Sequence, residues 1–330
     1  MSTSPRIGEA VAHPNLALVK YWGKRDRELN LPATGSISIT LGAFTTRTRV
    51  SFVGEQGPDR ITLNGEQADG GTAARVGRFL DLVRSEAGID SAATVLSQND
   101  YPTAAGLASS SAAFSALAVA ACRAAQLDPT PGELSLLSRR GSGSAARSVF
   151  GGFVEMRTGT RTDGTDAIAE PLAAADHWDL RIVVALTSKQ RKPVGSSEGM
   201  DLTAKTSPYY KAWVETSESD LDRARAAVAG RDLEGLGEVV EHSALKMHAC
   251  AMAARPGLIY WNGGTVEAMQ LVRRARSEGL PAYFTVDAGP QVKVLCLPEH
   301  SDDLGARLEE LPGVVQVLVS PVGGPARSLP

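Results

Sequence analysis

The segment PTAAGLASSSA, residues 102–112, carries a loop of small residues straight into a helix whose first turn is serine. Free backbone N–H groups at such a helix start, together with the positive end of its dipole, attract anions. Gly106 lets the backbone approach one closely. A serine hydroxyl there also suits a metal ion carried by phosphates. The loop lacks the Gly-Lys-Ser/Thr ending of a Walker A motif, and an ordinary serine cap on a buried helix would read the same way. Outward from this loop, the helix is alanine-rich over 110–126, and the flanking segments mix both hydrophobic periods. Strands are expected over 16–22, 37–41, 45–53, 61–63 and 153–157. Val76, Phe79, Leu80 and Val83 set an amphipathic helix over 73–85, and Leu134, Leu136 and Leu137 mark another. The first half therefore reads as α+β.

Beyond it, a buried strand over 182–186 is followed by a long helical stretch over 201–254. The last eighty or so residues alternate: helix 265–278, strand 282–286, the turn DAGP, strand 292–297, helix 302–311, strand 314–320. That alternation suits a small sheet with helices on one face, an α+β sandwich of the ferredoxin-like kind. A boundary near Asp179 divides the chain into domains 1–179 and 180–330, and two domains suit 330 residues. Hydrophobic residues at 43% and charged residues at 22% describe a globular chain, and a net charge of -3 excludes a general polyanion binder. Cys122, Cys250 and Cys296 are widely spaced without a CxxC, which argues against a zinc knuckle or disulfide framework and for a reducing, cytoplasmic setting. The N-terminus has no apolar signal core, and Pro102, Gly106 and three serines break the longest uncharged stretch. Neither a membrane nor a nucleic-acid partner is expected.

Four further segments bear on chemistry. RRGSGSAARS, 139–148, frees the backbone at two glycines and offers Ser142, Ser144 and the planar fork of Arg147 to a carboxylate or phosphate; a flexible turn with a solvated arginine is the plainer reading. VKYWGKR, 19–25, sets Lys20, Lys24 and Arg25 around two aromatics, as a wall for a polyanionic small molecule or as ordinary surface lysines. Asp287, in FTVDAGP, ends an apolar strand and can act as a general base if a cation keeps it ionised, or it can simply make an Asx turn. GSSEG, 195–199, matches G-x-S-x-G but lacks the preceding strand of a nucleophile elbow. His242 and His248 are six apart, poorly spaced for one metal, and read as surface or packing residues.

Taken in order, AHPNLALVKYWGKRDRELNLPATGSISITL, YPTAAGLASSSAAFSALA, RRGSGSAARSVFGGF, VGSSEGM and VDAGP resemble the diphosphomevalonate decarboxylase family of the GHMP kinase superfamily. The resemblance implies a ribosomal S5 domain 2-like N-terminal domain and a ferredoxin-like C-terminal domain with the active site between them. It implies ATP and Mg²⁺ as co-substrate and cofactor, mevalonate 5-diphosphate as substrate, and a homodimer. Carried over residue by residue, it makes Asp287 the base for the C3 hydroxyl, with Lys20 beside it. Tyr21, Lys24, Arg75, Ser142, Ser144 and Ser196 would hold the substrate, and Arg147 its carboxylate. Pro102, Ala105, Gly106, Leu107, Ala108, Ser109 and Ser110 would line ATP, with Ser110 also near magnesium. Arg75 requires a gap after LNGE. At Gly35, Ser111, Ala146 and Gly195 the sequence departs from the commoner pattern by small-for-small exchanges. A mevalonate 3-kinase or phosphomevalonate decarboxylase of the same fold, and a catalytically silent nucleotide-binding relative, are the alternatives; Lys20 and Asp287 together argue against a kinase that stops at phosphorylation.

Overall fold

The computed structural model describes residues 6–53, 57–101, 109–190 and 193–330. Pro102, Ala105, Gly106, Leu107 and Ala108 of the expected ATP loop lie outside them. Among the described residues, the first half builds a two-stranded sheet, Lys24–Asp26 with Leu31–Pro32, and two large sheets. One runs, neighbour by neighbour, Arg327–Leu329, Arg6–Ala12, Thr46–Phe52, Ala93–Asn99, Arg60–Leu63, Glu66–Gln67; the other runs Ala169–Ala173, Phe153–Met156, Ser36–Thr40, Asn15–Val19. Strand Thr46–Phe52 alternates buried and outward residues, as a half-buried strand must. Arg60–Leu63 and Ala93–Asn99 pair in parallel, with the helix Gly70–Ala87 making the crossover between them. That helix starts on Asp69, whose carboxylate accepts from Thr72 N–H, and stops at Gly88 in the left-handed conformation. Its Val76, Phe79, Leu80 and Val83 pack with Phe114 and Leu117 of the alanine-rich helix Ser109–Ala125. Alanine brings that helix tightly onto the first strand: a Cβ at Gly8 would lie 2.1 Å from the Ala120 carbonyl.

In the second half, Tyr283–Val286, Val292–Cys296, Arg181–Leu186 and Gln316–Pro321 form one antiparallel sheet in that order. The unit's first strand sits between its third and fourth, with helix-containing crossovers on either side, which is the ferredoxin-like arrangement expected. The helical stretch is four helices rather than one run: Ser196–Thr206, Tyr210–Glu215, Ser217–Gly230 and Leu233–Met252. The break before the last has a clear cause, since Arg231 adopts φ 53° and Asp232 then caps the next helix through Gly235 N–H. Leu236, Val239 and Val240 of the last helix share one core with Leu16, Leu18, Ile37, Ile39, Ile182 and Val184, so the two halves are joined by apolar packing. No helix among the described residues is long and apolar enough to cross a membrane.

Three features depart from the sequence reading. Strands Arg6–Ala12, Ala93–Asn99 and Ala169–Ala173 were not expected, because charged, polar or proline residues interrupt their alternation. The strand expected over 16–22 ends at Val19, where the N–H of Lys20 donates to Ser243 Oγ at 3.0 Å instead of to a strand. The tail assigned with 180–330 does not stay there: Arg327–Leu329 pairs with Arg6–Ala12 and extends the first sheet.

Candidate active site

The end of strand Asn15–Val19 and the start of the DAGP turn meet where the two halves face each other. Lys20, 1% exposed, places Nζ 2.6 Å from Asp287 Oδ1 and 2.9 Å from the carbonyl of Ala17. From strand Val292–Cys296, Lys293 places its Nζ 3.3 Å from Asp287 Oδ2. Burial opposes charge on Asp287, but the two ammonium groups outweigh it and hold the carboxyl well below the usual carboxylate range. Burial likewise lowers Lys20, with Asp287 pulling it back. The turn is pinned from behind. The hydroxyls of Thr187 and Thr265 donate to the Pro290 carbonyl at 2.9 and 2.6 Å, and Gln291 accepts from Thr187 N–H at 2.6 Å. His248 lies one layer below, its Nε2–H on the Val286 carbonyl at 3.2 Å; burial and then nearby Lys20 push it down to about 4, so it is neutral at pH 7 and a packing residue as expected.

Arg147 is the second reactive element. It comes from the one-turn helix Ala145–Ser148, is 1% exposed, and meets only neutral acceptors: Asn15 Oδ1, at 3.1 Å from Nη2, and Ser36 Oγ, on Nη1. Asn15 is oriented for this because its Nδ2 donates to Ser144 O and Ser148 Oγ at 2.9 and 2.7 Å. Burial pushes Arg147 down to about 10, so it stays charged at neutral pH, and no ion pair among the described residues neutralises it. Lys20, Lys293 and Arg147 against Asp287 leave an excess of buried positive charge, an arrangement that favours an incoming anion.

Tyr21 links this end to a second pocket. Its ring lies 6.0 Å from the Arg147 guanidinium, and its buried hydroxyl has no hydrogen-bond partner among the described residues. A Cβ at Gly143 would stand 2.3 Å from that oxygen, so only glycine lets the serine loop close on it. Ser142 Oγ lies 3.3 Å from Ser144 Oγ and 3.4 Å from Ser110 Oγ, which brings both expected anion seats together. Beyond Gly141 opens a cavity of about 590 Å³ walled by Lys24, Arg75, Arg78, Arg140 and Ser197, among others. Arg75 is fixed there by the Gly141 carbonyl, at 2.7 and 3.0 Å, and by the Phe114 ring at 4.6 Å. Burial and then Arg78 lower Arg75; burial lowers Lys24, with Asp201 pulling it back and Arg75 and Arg27 lowering it further. Lys24 meets Ser197, at 3.1 Å, rather than Ser196, which opens the helix Ser196–Thr206 one residue earlier. Among the described residues no cluster of three His, Cys, Asp or Glu side chains could hold a metal. The oxygen ligand on offer near the seats is Ser110, at the start of a helix with no acidic residue in its first turn, and a hydroxyl there suits a hard cation arriving on phosphates.

The sequence reading passes over Asn15, Ser36 and Lys293. A lone lysine inside the apolar VKVLC is a signal that could have found the last, because a buried ammonium needs a partner.

Family models match most of the chain: a diphosphomevalonate decarboxylase-like N-terminal domain over residues 12–169 and a mevalonate 5-diphosphate decarboxylase C-terminal domain over 182–317. A solved structure of MDDEF in complex with MVAPP, AMPPCP and magnesium is 40% identical, with a TM-score of 0.92 over 99% of both chains. The mevalonate diphosphate decarboxylase of Staphylococcus aureus is 37% identical with a TM-score of 0.93, again over 99% of both chains. The phosphomevalonate decarboxylase of Haloferax volcanii is 35% identical over 97% of both.

Proposed function

The chain belongs to the diphosphomevalonate decarboxylase family, and from that premise we propose how its cleft divides the work of ATP-dependent decarboxylation of mevalonate 5-diphosphate. The reaction gives isopentenyl diphosphate, ADP, phosphate and carbon dioxide. The observation that carries the assignment of roles is Asp287 ion-paired to buried Lys20, with buried Arg147 bonded to neutral acceptors and the cationic cavity across Tyr21 from them.

Lys24 and Arg75, with the hydroxyls of Ser142 and Ser144, bind the diphosphate, and Ser196 borders that site. Tyr21 donates its otherwise unpartnered hydroxyl to the same end. Arg147 takes the C1 carboxylate in a two-pronged contact, which its planar fork favours. Asp287 accepts the hydrogen bond of the C3 hydroxyl and aims its oxygen at the γ-phosphorus, while Lys20 keeps the carboxylate charged. Ser110 and Ser109, with the segment 102–108, would hold the phosphates of ATP, and a magnesium ion carried there would supply neutralising charge to the transferring group. Once the C3 oxygen carries the phosphoryl group, that C–O bond breaks, the C1–C2 electron pair becomes the C2=C3 double bond, and C1 leaves as carbon dioxide. Arg147 and Lys20 sit where they steady the charge that shifts in this step.

Cytoplasmic residence and a homodimeric state belong to the same reading. Three buried free cysteines support the first; exposed Val319, on the edge strand of the second half's sheet, and Val315, just before that strand, offer apolar surface for the second. The test supplies Mg-ATP with mevalonate, its 5-phosphate or its 5-diphosphate. ADP and carbon dioxide should form one-to-one with the 5-diphosphate, and equal turnover of the 5-phosphate would sink the diphosphate assignment.

A further inference from the structure

Asp287 is gripped on both oxygens, from two different elements. Lys20 arrives from the end of a strand of the first half and holds Oδ1, while Lys293 stands on a strand of the second and reaches Oδ2. Lys293 is pinned by the sheet itself: its strand pairs with Tyr283–Val286 on one side, where Lys293 opposes Thr285, and with Arg181–Leu186 on the other, where it opposes Val184. Both lysine side chains are at most 2% exposed, whereas Asp287 keeps 27% of its side chain open to the cleft.

An aspartate held by one cation still turns about its last side-chain bond, because that torsion has a broad minimum. A second contact on the other oxygen removes the rotation. An ionised carboxylate has about four acceptor sites, so one lysine on each oxygen leaves sites facing the cleft.

We propose that Lys293 is a positioning residue for phosphoryl transfer, one that fixes the rotation of the Asp287 carboxylate so that its open lone pairs meet the C3 hydroxyl. The inference rests on the function proposed above. Lys293 touches neither ATP nor substrate in this role and acts through Asp287. Among the described residues, the groups facing Asp287 are Lys20, Lys293, neutral His248 behind the turn, and Arg147 across the cleft. Removal of Lys293 therefore leaves Asp287 less firmly ionised as well as free to turn.

The test compares wild type with Lys293→Met, using Mg-ATP and mevalonate 5-diphosphate across pH 5 to 9. Misplacing a reacting group by about 1 Å costs on the order of a hundredfold, so kcat near neutral pH should fall about tenfold to a hundredfold while KM for ATP stays within about twofold. The sign of the pH effect follows from charge: the ionised form is the active one and its pKa rises, so the acid limb of kcat moves up in pH and part of the loss is recovered at alkaline pH. In the Asp287→Asn background the same replacement should cost little more, because the residue it acts through is gone. Unchanged kcat, a loss uniform across pH, or full additivity with Asp287→Asn would each overturn the proposal. Should Lys293→Met fail to fold, Lys293→Arg carries the test: it keeps the charge and moves it, so kcat should drop with the acid limb in place, and wild-type kcat would overturn the assignment. Absence of carbon dioxide from the wild type would instead reject the functional reading beneath it.

Discussion

Asp287→Asn keeps size and shape but removes the charge that Lys20 and Lys293 surround. General-base contributions are typically about 10² to 10⁴ in rate, so kcat should fall by at least about a hundredfold while ATP and mevalonate 5-diphosphate still bind; near-normal kcat in a folded variant would refute the role given to this carboxylate. Lys20→Ala should act partly through Asp287, giving less than additive losses in the double variant. At this scale sequence reading reached far. Of the residues it named, Lys20 meets Asp287, Tyr21 lies by Arg147, Ser142 lies near both Ser144 and Ser110, and Lys24 and Arg75 line one cavity. It went less far where contacts are chosen by folding: Asn15 and Ser36, which take the Arg147 guanidinium, and Lys293, on the second oxygen of Asp287, passed unread.

Elements explain why those residues converge. The loop between Pro131–Gly141 and Ala145–Ser148 carries both serines and leads into the helix that bears Arg147, and it seats against Tyr21 only because residue 143 has no side chain. Gly143→Ala puts a methyl into the Tyr21 hydroxyl, and overpacking of this kind costs about 1–3 kcal/mol. We expect a lower Tm together with a rise in KM for the diphosphate substrate of about tenfold, and partial recovery when Tyr21→Phe removes the colliding oxygen. A Gly143→Ala enzyme with unchanged KM would show that the loop does not need this close seat. The helix over 73–85, the alanine-rich helix and the alternating second half were legible as elements because each carries its own period. Arg6–Ala12, Ala93–Asn99 and Ala169–Ala173 were not: the first two keep polar residues between two paired neighbours, and the third is an edge strand, where Pro171 breaks the pattern without breaking the sheet.

The whole molecule is closed by its tail. After Gln316–Pro321 the chain crosses to the first half, where Gly323 exchanges hydrogen bonds with Thr40 and Gly152 at 2.9 Å each and Ala326 N–H donates to Val149 O at 3.1 Å, before Arg327–Leu329 joins the first sheet. Deleting 323–330 strands these groups, and each buried unpaired group costs about 1–3 kcal/mol. The shortened protein should melt more than about 5 °C lower, measured by calorimetry; an unchanged Tm would make the tail a passenger. What the sequence determined by itself is what local chemistry encodes: a ferredoxin-like alternation in the second half, two glycine- and serine-rich segments, and an aspartate set at a turn. Tertiary structure alone decided that Lys20 reaches Asp287 across 267 residues, that Lys293 grips its other oxygen, and that the chain's last strand returns to its first. The physical reason is that an ion pair or a strand pairing depends on distance through space, and sheet order and interdomain packing set that distance, neither of which has a period along the chain.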